Sequence, residues 1–383
     1  LQIDKWISGN AFSSITQGGP NGPIHWLSPF VTQGGYMGVI FFFVLSGFLI
    51  TYLLLEEKRV RANVAIGKFY MRRILRIWPL YFFVTLLGFF VLHHIPWFEV
   101  VSQEDEFFKH FSLNLICYVF MLPNLAFAFV MEAVPNLGQL WSIGVEEQFY
   151  LMWPLLLAFT KRPLRTILIF LFAVLMLKAA FYGWIRFVVK PPALDPDLMI
   201  YSPIETAKRF VGTLKFESMA LGGLGACLVF YRKENWLKFI YHRVVQYGAY
   251  LAIPAIVLFT PKSLYTFLYL FFSVPFLIII MNVGCNPQSI LKLRGKVFDF
   301  LGRISFGIYM YHLICIAFVF HALDYFFQFQ DRLSGWQSAL LYLCSIPLTI
   351  LVSWLSHEYI EKLFIRKKRQ YTTVISGEEA RES

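Results

Sequence analysis

The sequence predicts an all-α polytopic membrane protein, about nine transmembrane helices in one integral unit. Hydrophobic residues make up 58% of the chain, aromatic residues 19%, and there are 42 phenylalanines. Charged residues are only 15%, where a soluble domain carries about 25%. The mean hydropathy is +0.60. The apolar runs are long and continuous rather than alternating over ~10 residues, which excludes a β-barrel reading.

Taken in order, residues 1–35 read as an extracytoplasmic loop, rich in glycine and proline up to Gly34-Gly35. Spans are expected at about 36–56, 74–94, 139–159, 162–186, 216–231, 244–260, 264–282, 304–322 and 337–357. The segment 57–76 reads as the most basic loop, with Lys58, Arg59, Arg61, Lys68, Arg72, Arg73 and Arg76. Residues 111–130 are apolar but interrupted by Asn114, Pro123 and Asn124. A polar stretch of about thirty residues precedes Phe216. Residues 365–383 form a basic tail, expected to be cytoplasmic and disordered over its last dozen residues.

Orientation follows from the distribution of Lys and Arg. If 111–130 does not cross, 23 of these residues fall in loops on one side and 8 on the other. If it crossed, the early and late basic loops would lie on opposite sides. The segment is therefore expected to be re-entrant or interfacial, with the C-terminus cytoplasmic and residue 1 outside. That placement leads to the expectation of a preceding helix outside this sequence; a removed signal peptide is the competing account. The net charge of +11 is read as cytoplasmic loops, not nucleic-acid binding. Five scattered cysteines without a CxxC pair support neither a disulfide framework nor a metal site.

Four clusters carry chemistry. Glu146 and Glu147 lie inside an apolar aromatic helix between Trp141 and Pro154. Membrane-depth carboxylates are expensive and often functional; the alternative is an ion pair holding two helices together. Arg72, Arg73 and Arg76 suit phosphate recognition at a membrane boundary, or ordinary anchoring at the cytoplasmic face. His312 lies within an apolar helix beside Tyr309, either as a packing residue or as a proton acceptor. Lys215 and Glu217 open a span as an ion pair, followed by small residues suited to helix packing. Lys178 is a further buried partner for a carboxylate.

Six blocks in order resemble the signature blocks of the membrane acyltransferase 3 family: GYMGVIFFFVLSGFLIT from Gly35, FYMRRILRIWPLY from Phe69, LWSIGVEEQFYLMWPLLL from Leu140, KFESMALGGLGA from Lys215, GRISFGIYMYHL from Gly302 and SHEYIEKLF from Ser356. The resemblance covers essentially the whole chain, with 36–364 as the acyltransferase-like unit. It implies a bacterial inner-membrane enzyme, an acyltransferase transferring groups other than amino-acyl. The acyl group, typically acetyl, passes from cytoplasmic acyl-CoA to a hydroxyl of an envelope polysaccharide or glycolipid. No permanently bound cofactor is implied; acetyl-CoA is a substrate and membrane lipid the surrounding partner. The family's ten helices match nine here plus one upstream. That first helix ordinarily carries an Arg and, about eleven residues later, a catalytic His. Neither has a counterpart here, and His25 in its Gly/Pro-rich loop is no substitute. Lys215 and Glu217 stand where an Arg/Asp pair is more usual.

A hydroxyl attacking a thioester needs a base, an oxyanion stabiliser and a clamp for the donor. On this reading Arg72, Arg73 and Arg76 bind the phosphates of coenzyme A. Glu146 or Glu147, with Glu147 slightly favoured, orients the family's His or holds a charge network. His312 and Tyr309 face the cavity, which Ser46, Trp141, Ser142, Lys215 and Glu217 also line. The alternatives are a glycan or lipid transporter using the buried Glu residues as a proton relay, or an inactive relative.

Overall fold

In the computed structural model, residues 28–98, 104–130, 134–188, 202–260, 268–328 and 335–371 are described. They are helical throughout, with no β-strand element among them. The helices are α1 (Ser28–Arg61), α2 (Ile66–Phe90), α3 (Glu104–Lys109), α4 (Phe111–Val119), α5 (Pro123–Phe129), α6 (Trp141–Phe159), α7 (Pro163–Val188), α8 (Pro203–Thr213), α9 (Phe216–Phe230), α10 (Glu234–Tyr241), α11 (Arg243–Phe259), α12 (Leu268–Cys285), α13 (Lys296–Phe327), α14 (Gly335–Ser356) and α15 (Lys362–Lys368). A π-turn, His357–Glu361, joins the last two.

Among the described residues, seven stretches are long and apolar enough to cross a membrane: those of α1, α2, α7, α12 and α13, then α8 with α9, and α14 with α15. The pair α10 and α11, bent by 60°, makes an eighth. The protein is a multi-pass membrane protein, and the described residues give seven or eight candidate spans where nine were expected. The difference is α6. It has 19 residues, enough for a span, but Glu146, Glu147 and Gln148 lower its apolarity.

Several boundaries also move. Helix α1 starts at Ser28 and runs through Gly34 and Gly35, so the loop expected to reach residue 35 ends earlier. A glycine costs a helix interior only about 1 kcal/mol, which a 34-residue helix absorbs. The expected basic loop is mostly helix, with a break only between Arg61 and Ile66. Within the polar stretch, 203–213 forms the amphipathic helix α8. The tail stays helical past residue 364, through Lys368. Residues 1–27 and 372–383, including the tail expected to be disordered, lie outside the described residues.

Residues 111–130 form two short helices separated by Met121, whose φ is +60°. Nine residues rise only ~14 Å, half the hydrocarbon thickness. Lys58, near the end of α1, donates to the carbonyls of Leu157, Ala158 and Thr160 at 3.0, 3.0 and 2.6 Å. It thereby satisfies orphan carbonyls at the end of α6 with a cation. Helices α1 and α6 therefore end at one face, the basic one. Helix α2 runs back from that face, so the described residues between α2 and α6 stay on the far side without crossing. The C-terminal segment lies at the basic face too: Arg72 Nη1 donates to the Tyr371 carbonyl at 2.9 Å.

Helices α1 and α9 form the most intimate pair. A Cβ on Gly47 would fall 1.9 Å from the Met219 carbonyl oxygen, and one on Gly222 would fall 2.0 Å from that of Val44. Aromatic side chains fill the centre, with Phe43, Tyr81, Phe89, Phe149, Trp153 and Phe272 fully buried. All five cysteines are free.

Candidate functional site

Adjacent helix residues point about 100° apart, and α6 uses this at three consecutive polar positions. Glu146 turns toward α1, where it accepts hydrogen bonds from the Ser46 hydroxyl and from Tyr150, one turn along its own helix. The Ser46 and Tyr150 oxygens are 2.5 Å apart, closing a buried triangle. Glu147 turns toward α2 and accepts from Trp78 Nε1 at 3.2 Å through Oε2. Its Oε1 is buried and takes no hydrogen bond among the described residues. Gln148 turns toward α5 and exchanges amide hydrogen bonds with Asn124 at 2.8 and 3.3 Å.

The three arginines divide. Arg73 reaches from α2 to the triangle, its guanidinium 5.5 Å from the Tyr150 ring and 5.7 Å from Phe69. Its Nε is buried and unpaired among the described residues. Arg72 faces elsewhere. Its Nη2 meets the buried Glu57 carboxylate at 2.8 Å, and the other oxygen of Glu57 accepts from the Ala65 N–H at 3.2 Å. This pair fastens α1 to α2 and occupies the guanidinium. Arg72→Ala is expected to strand the Glu57 charge and destabilise the fold by about 3–5 kcal/mol, read as a lowered Tm in detergent. Arg73→Ala, which leaves no carboxylate stranded, should not lower the Tm to that extent. Equal melting losses in the two variants would contradict the division.

His312 is not brought to the carboxylates. Its Nδ1 sits 2.7 Å from the Tyr309 carbonyl of its own helix, which assigns the proton to Nδ1 and leaves Nε2 as the acceptor. Tyr309 stands between: its hydroxyl is 2.5 Å from Ser142 Oγ and donates to the Gln139 carbonyl at 2.8 Å. This joint fixes the start of α6 against α13. Trp141 packs against Phe43 and Phe127, with ring centroids at 6.1 and 6.5 Å.

The expected Lys215–Glu217 pair is replaced. Lys178 on α7 pairs with Glu217 at 2.5 Å, as the carboxylate partner foreseen for it, and Lys215 instead stands 4.0 Å over the Tyr269 ring. Lys215 precedes the first turn of α9, whereas Glu217 lies within it and points to α7. Sequence reasoning missed Tyr150, Trp78 and Glu57. The spacing of Glu146 and Tyr150, four residues apart on one face, could have found the first. Among the described residues no group of His, Cys, Asp or Glu is assembled to hold a metal.

A helical membrane bundle with two carboxylates and an arginine at its centre defines a class, the polytopic membrane proteins with an intramembrane polar site. The particular family follows from comparison: the family model described as "Acyltransferase domain" matches residues 9–358, and the chain belongs to this acyltransferase 3 family. It is similar to the peptidoglycan O-acetyltransferase OatA of Listeria monocytogenes, 26% identical over 86% of this chain and 51% of the relative. It is also similar to the O-acetyltransferase OatA of Staphylococcus aureus, 26% identical over 90% of this chain and 54% of the relative. A putative peptidoglycan O-acetyltransferase of Bacillus subtilis, YrhL, is 30% identical over 73% of this chain and 44% of its own length. The chain thus spans about half the length of the curated relatives it matches. No solved structure matches it.

Proposed function

We propose that this chain transfers an acetyl group from acetyl-CoA, at the basic face, to a hydroxyl of a cell-envelope glycan such as peptidoglycan, reached from the far face. The carrying observation is the buried Ser46–Glu146–Tyr150 triangle with Arg73 beside it, between the two faces. The named activity of the relatives supports the same reading. On this reading the basic face is cytoplasmic, by the excess of Lys and Arg there, and the membrane is the bacterial inner membrane, as the family resemblance implies. Reporter fusions check this: a fluorescent protein joined after Tyr371 should be fluorescent, and a periplasm-dependent phosphatase there should be inactive. The reverse pattern would overturn the orientation.

In this reading Arg73 and Arg76 hold the donor phosphates, while Arg72 supports them from its ion pair with Glu57. Glu146 accepts the proton of the attacking hydroxyl. The new O–C bond forms as the thioester C–S bond breaks, and the proton passes to the leaving thiolate. The Tyr150 and Ser46 hydroxyls are the donors available to the developing oxyanion. Glu147, held by Trp78, keeps a charge network beside Glu146. Tyr309 and His312 flank the acceptor's path.

The test uses the full chain in proteoliposomes with radiolabelled acetyl-CoA and a soluble peptidoglycan fragment. Label should enter the glycan as an alkali-labile ester. Arg73→Ala should raise KM for acetyl-CoA about ten-fold or more, the loss of a charged hydrogen bond, with a smaller effect on KM for the glycan. Movement of unmodified glycan without consumption of acetyl-CoA would instead establish a transporter.

A further inference from the structure

The stretch from α8 to α9 is one candidate span, and it is broken at Leu214-Lys215, where amphipathic α8 gives way to apolar α9. Lys215, Glu217 and Ser218 are buried, so helix α9 starts inside the bundle. It starts without a side-chain cap, so the N–H groups of its first turn are not covered in the usual way. The positive end of its dipole points into this break.

The side chains around the break add to that charge. Lys178 from α7 donates to the Leu214 carbonyl, on the break itself, and pairs with Glu217 at 2.5 Å. Lys215 is 7% exposed, and its described partner is the Tyr269 ring at 4.0 Å, a π-face without a negative charge. The pairing neutralises Lys178 and Glu217 and leaves Lys215 over. On α8, Glu205 is already held by Lys208 at 3.0 Å. Glu217 Oε2 takes no hydrogen bond among the described residues, so two buried ammoniums are set against one carboxylate and one positive charge is in excess, which burial disfavours. Helix starts placed beside uncompensated cations inside a membrane recognise anionic groups.

We propose that the α8–α9 break is an anion-binding site that takes a carboxylate or phosphate at Lys215 and the first turn of α9. It lies on the far half of the bundle, because Met219, one turn further into α9, already packs against Gly47 next to Ser46. The site belongs to the acceptor side of the reaction proposed above and rests on that reading for its place in it. Two sources share this chemistry: an acidic group on the acceptor glycan, and the phosphate of an anionic lipid. Lys178 and Glu217 position the break, and Lys215 makes the contact.

Binding, rather than turnover, provides the test, so its failure and that of the enzymatic reading are distinguishable. The full chain in phosphatidylcholine nanodiscs is titrated calorimetrically with a glucuronate-containing disaccharide and with its uncharged methyl ester. The acid is expected to bind at least about ten-fold more tightly than the ester. Lys215→Gln should abolish that difference and Lys215→Arg should retain it, each with a melting transition confirming the fold. Repeating the titration in phosphatidylglycerol nanodiscs separates the sources. Weakened binding of the acid in the wild type, absent in Lys215→Gln, identifies the lipid phosphate as an occupant. Unchanged binding assigns the site to the glycan. Equal affinity for acid and ester in the wild type, with no dependence on phosphatidylglycerol, overturns the proposal.

Discussion

Glu146→Gln is expected to reduce acetyl transfer by 10²–10⁴-fold, the range for losing a general base, while leaving the fold intact. Glutamine keeps an oxygen that can accept from Ser46 and Tyr150, so the triangle between α1 and α6 can still close. What is lost is the capacity to take a proton. The assay is initial-rate transfer of label from acetyl-CoA to glycan, run beside a melting curve of the same preparation. Glu147→Gln provides the contrast. Its carboxylate is bound by Trp78 and is one residue away from the triangle, so its loss should fall well short of that of Glu146. Wild-type transfer by Glu146→Gln would remove the proton-accepting role. A fall in rate with a matching collapse of the melting curve would reduce it to packing.

Gly222→Val is expected to carry a large structural penalty. The first added carbon would lie 2.0 Å from the Val44 carbonyl oxygen and 2.8 Å from the Phe48 nitrogen, both backbone atoms that no rotamer change can move. Overpacking alone costs about 1–3 kcal/mol. Here relief requires α1 and α9 to separate, which would also pull Ser46 from Glu146, so about 4 kcal/mol or more is expected. The measurements are yield, elution profile and Tm in mild detergent. A monodisperse variant with the wild-type Tm would show that this pair does not hold the bundle together.

Hydropathy located the apolar centres of the helices well. The spans expected at 139–159, 216–231 and 244–260 are α6, α9 and α11 to within two residues at either end. It failed where helix continues into polar sequence. Helix α13 begins at Lys296, not 304, because its first turns lie beyond the apolar zone but keep their backbone hydrogen bonds. Helix α8 was invisible for the same reason: it is amphipathic and not apolar. At the site, composition and motif order singled out Glu146, Ser46 and Arg73, and their meeting is a finding of the fold. The engagement of Arg72 by Glu57 could not be read, because it depends on how the short break between Arg61 and Ile66 turns the start of α2 against the end of α1. Glu56-Glu57-Lys58-Arg59 looks like a solvated charge run, yet Glu57 is 1% exposed. The exchange of partners among Lys178, Lys215 and Glu217 was half legible: a buried lysine implies a carboxylate, but not which one.

The three divergent hydrogen bonds of Glu146, Glu147 and Gln148 have a mechanical consequence. Each ties α6 to a different neighbour, so a twist of α6 about its axis loosens all three together. With Lys58 gripping its last carbonyls, α6 behaves as a fixed axle. Sliding or rocking of α6, as alternating access would require, is the motion this arrangement resists most. Under the proposed reaction, acetyl then travels past a stationary helix, and the parts free to adjust are the helices around the rim.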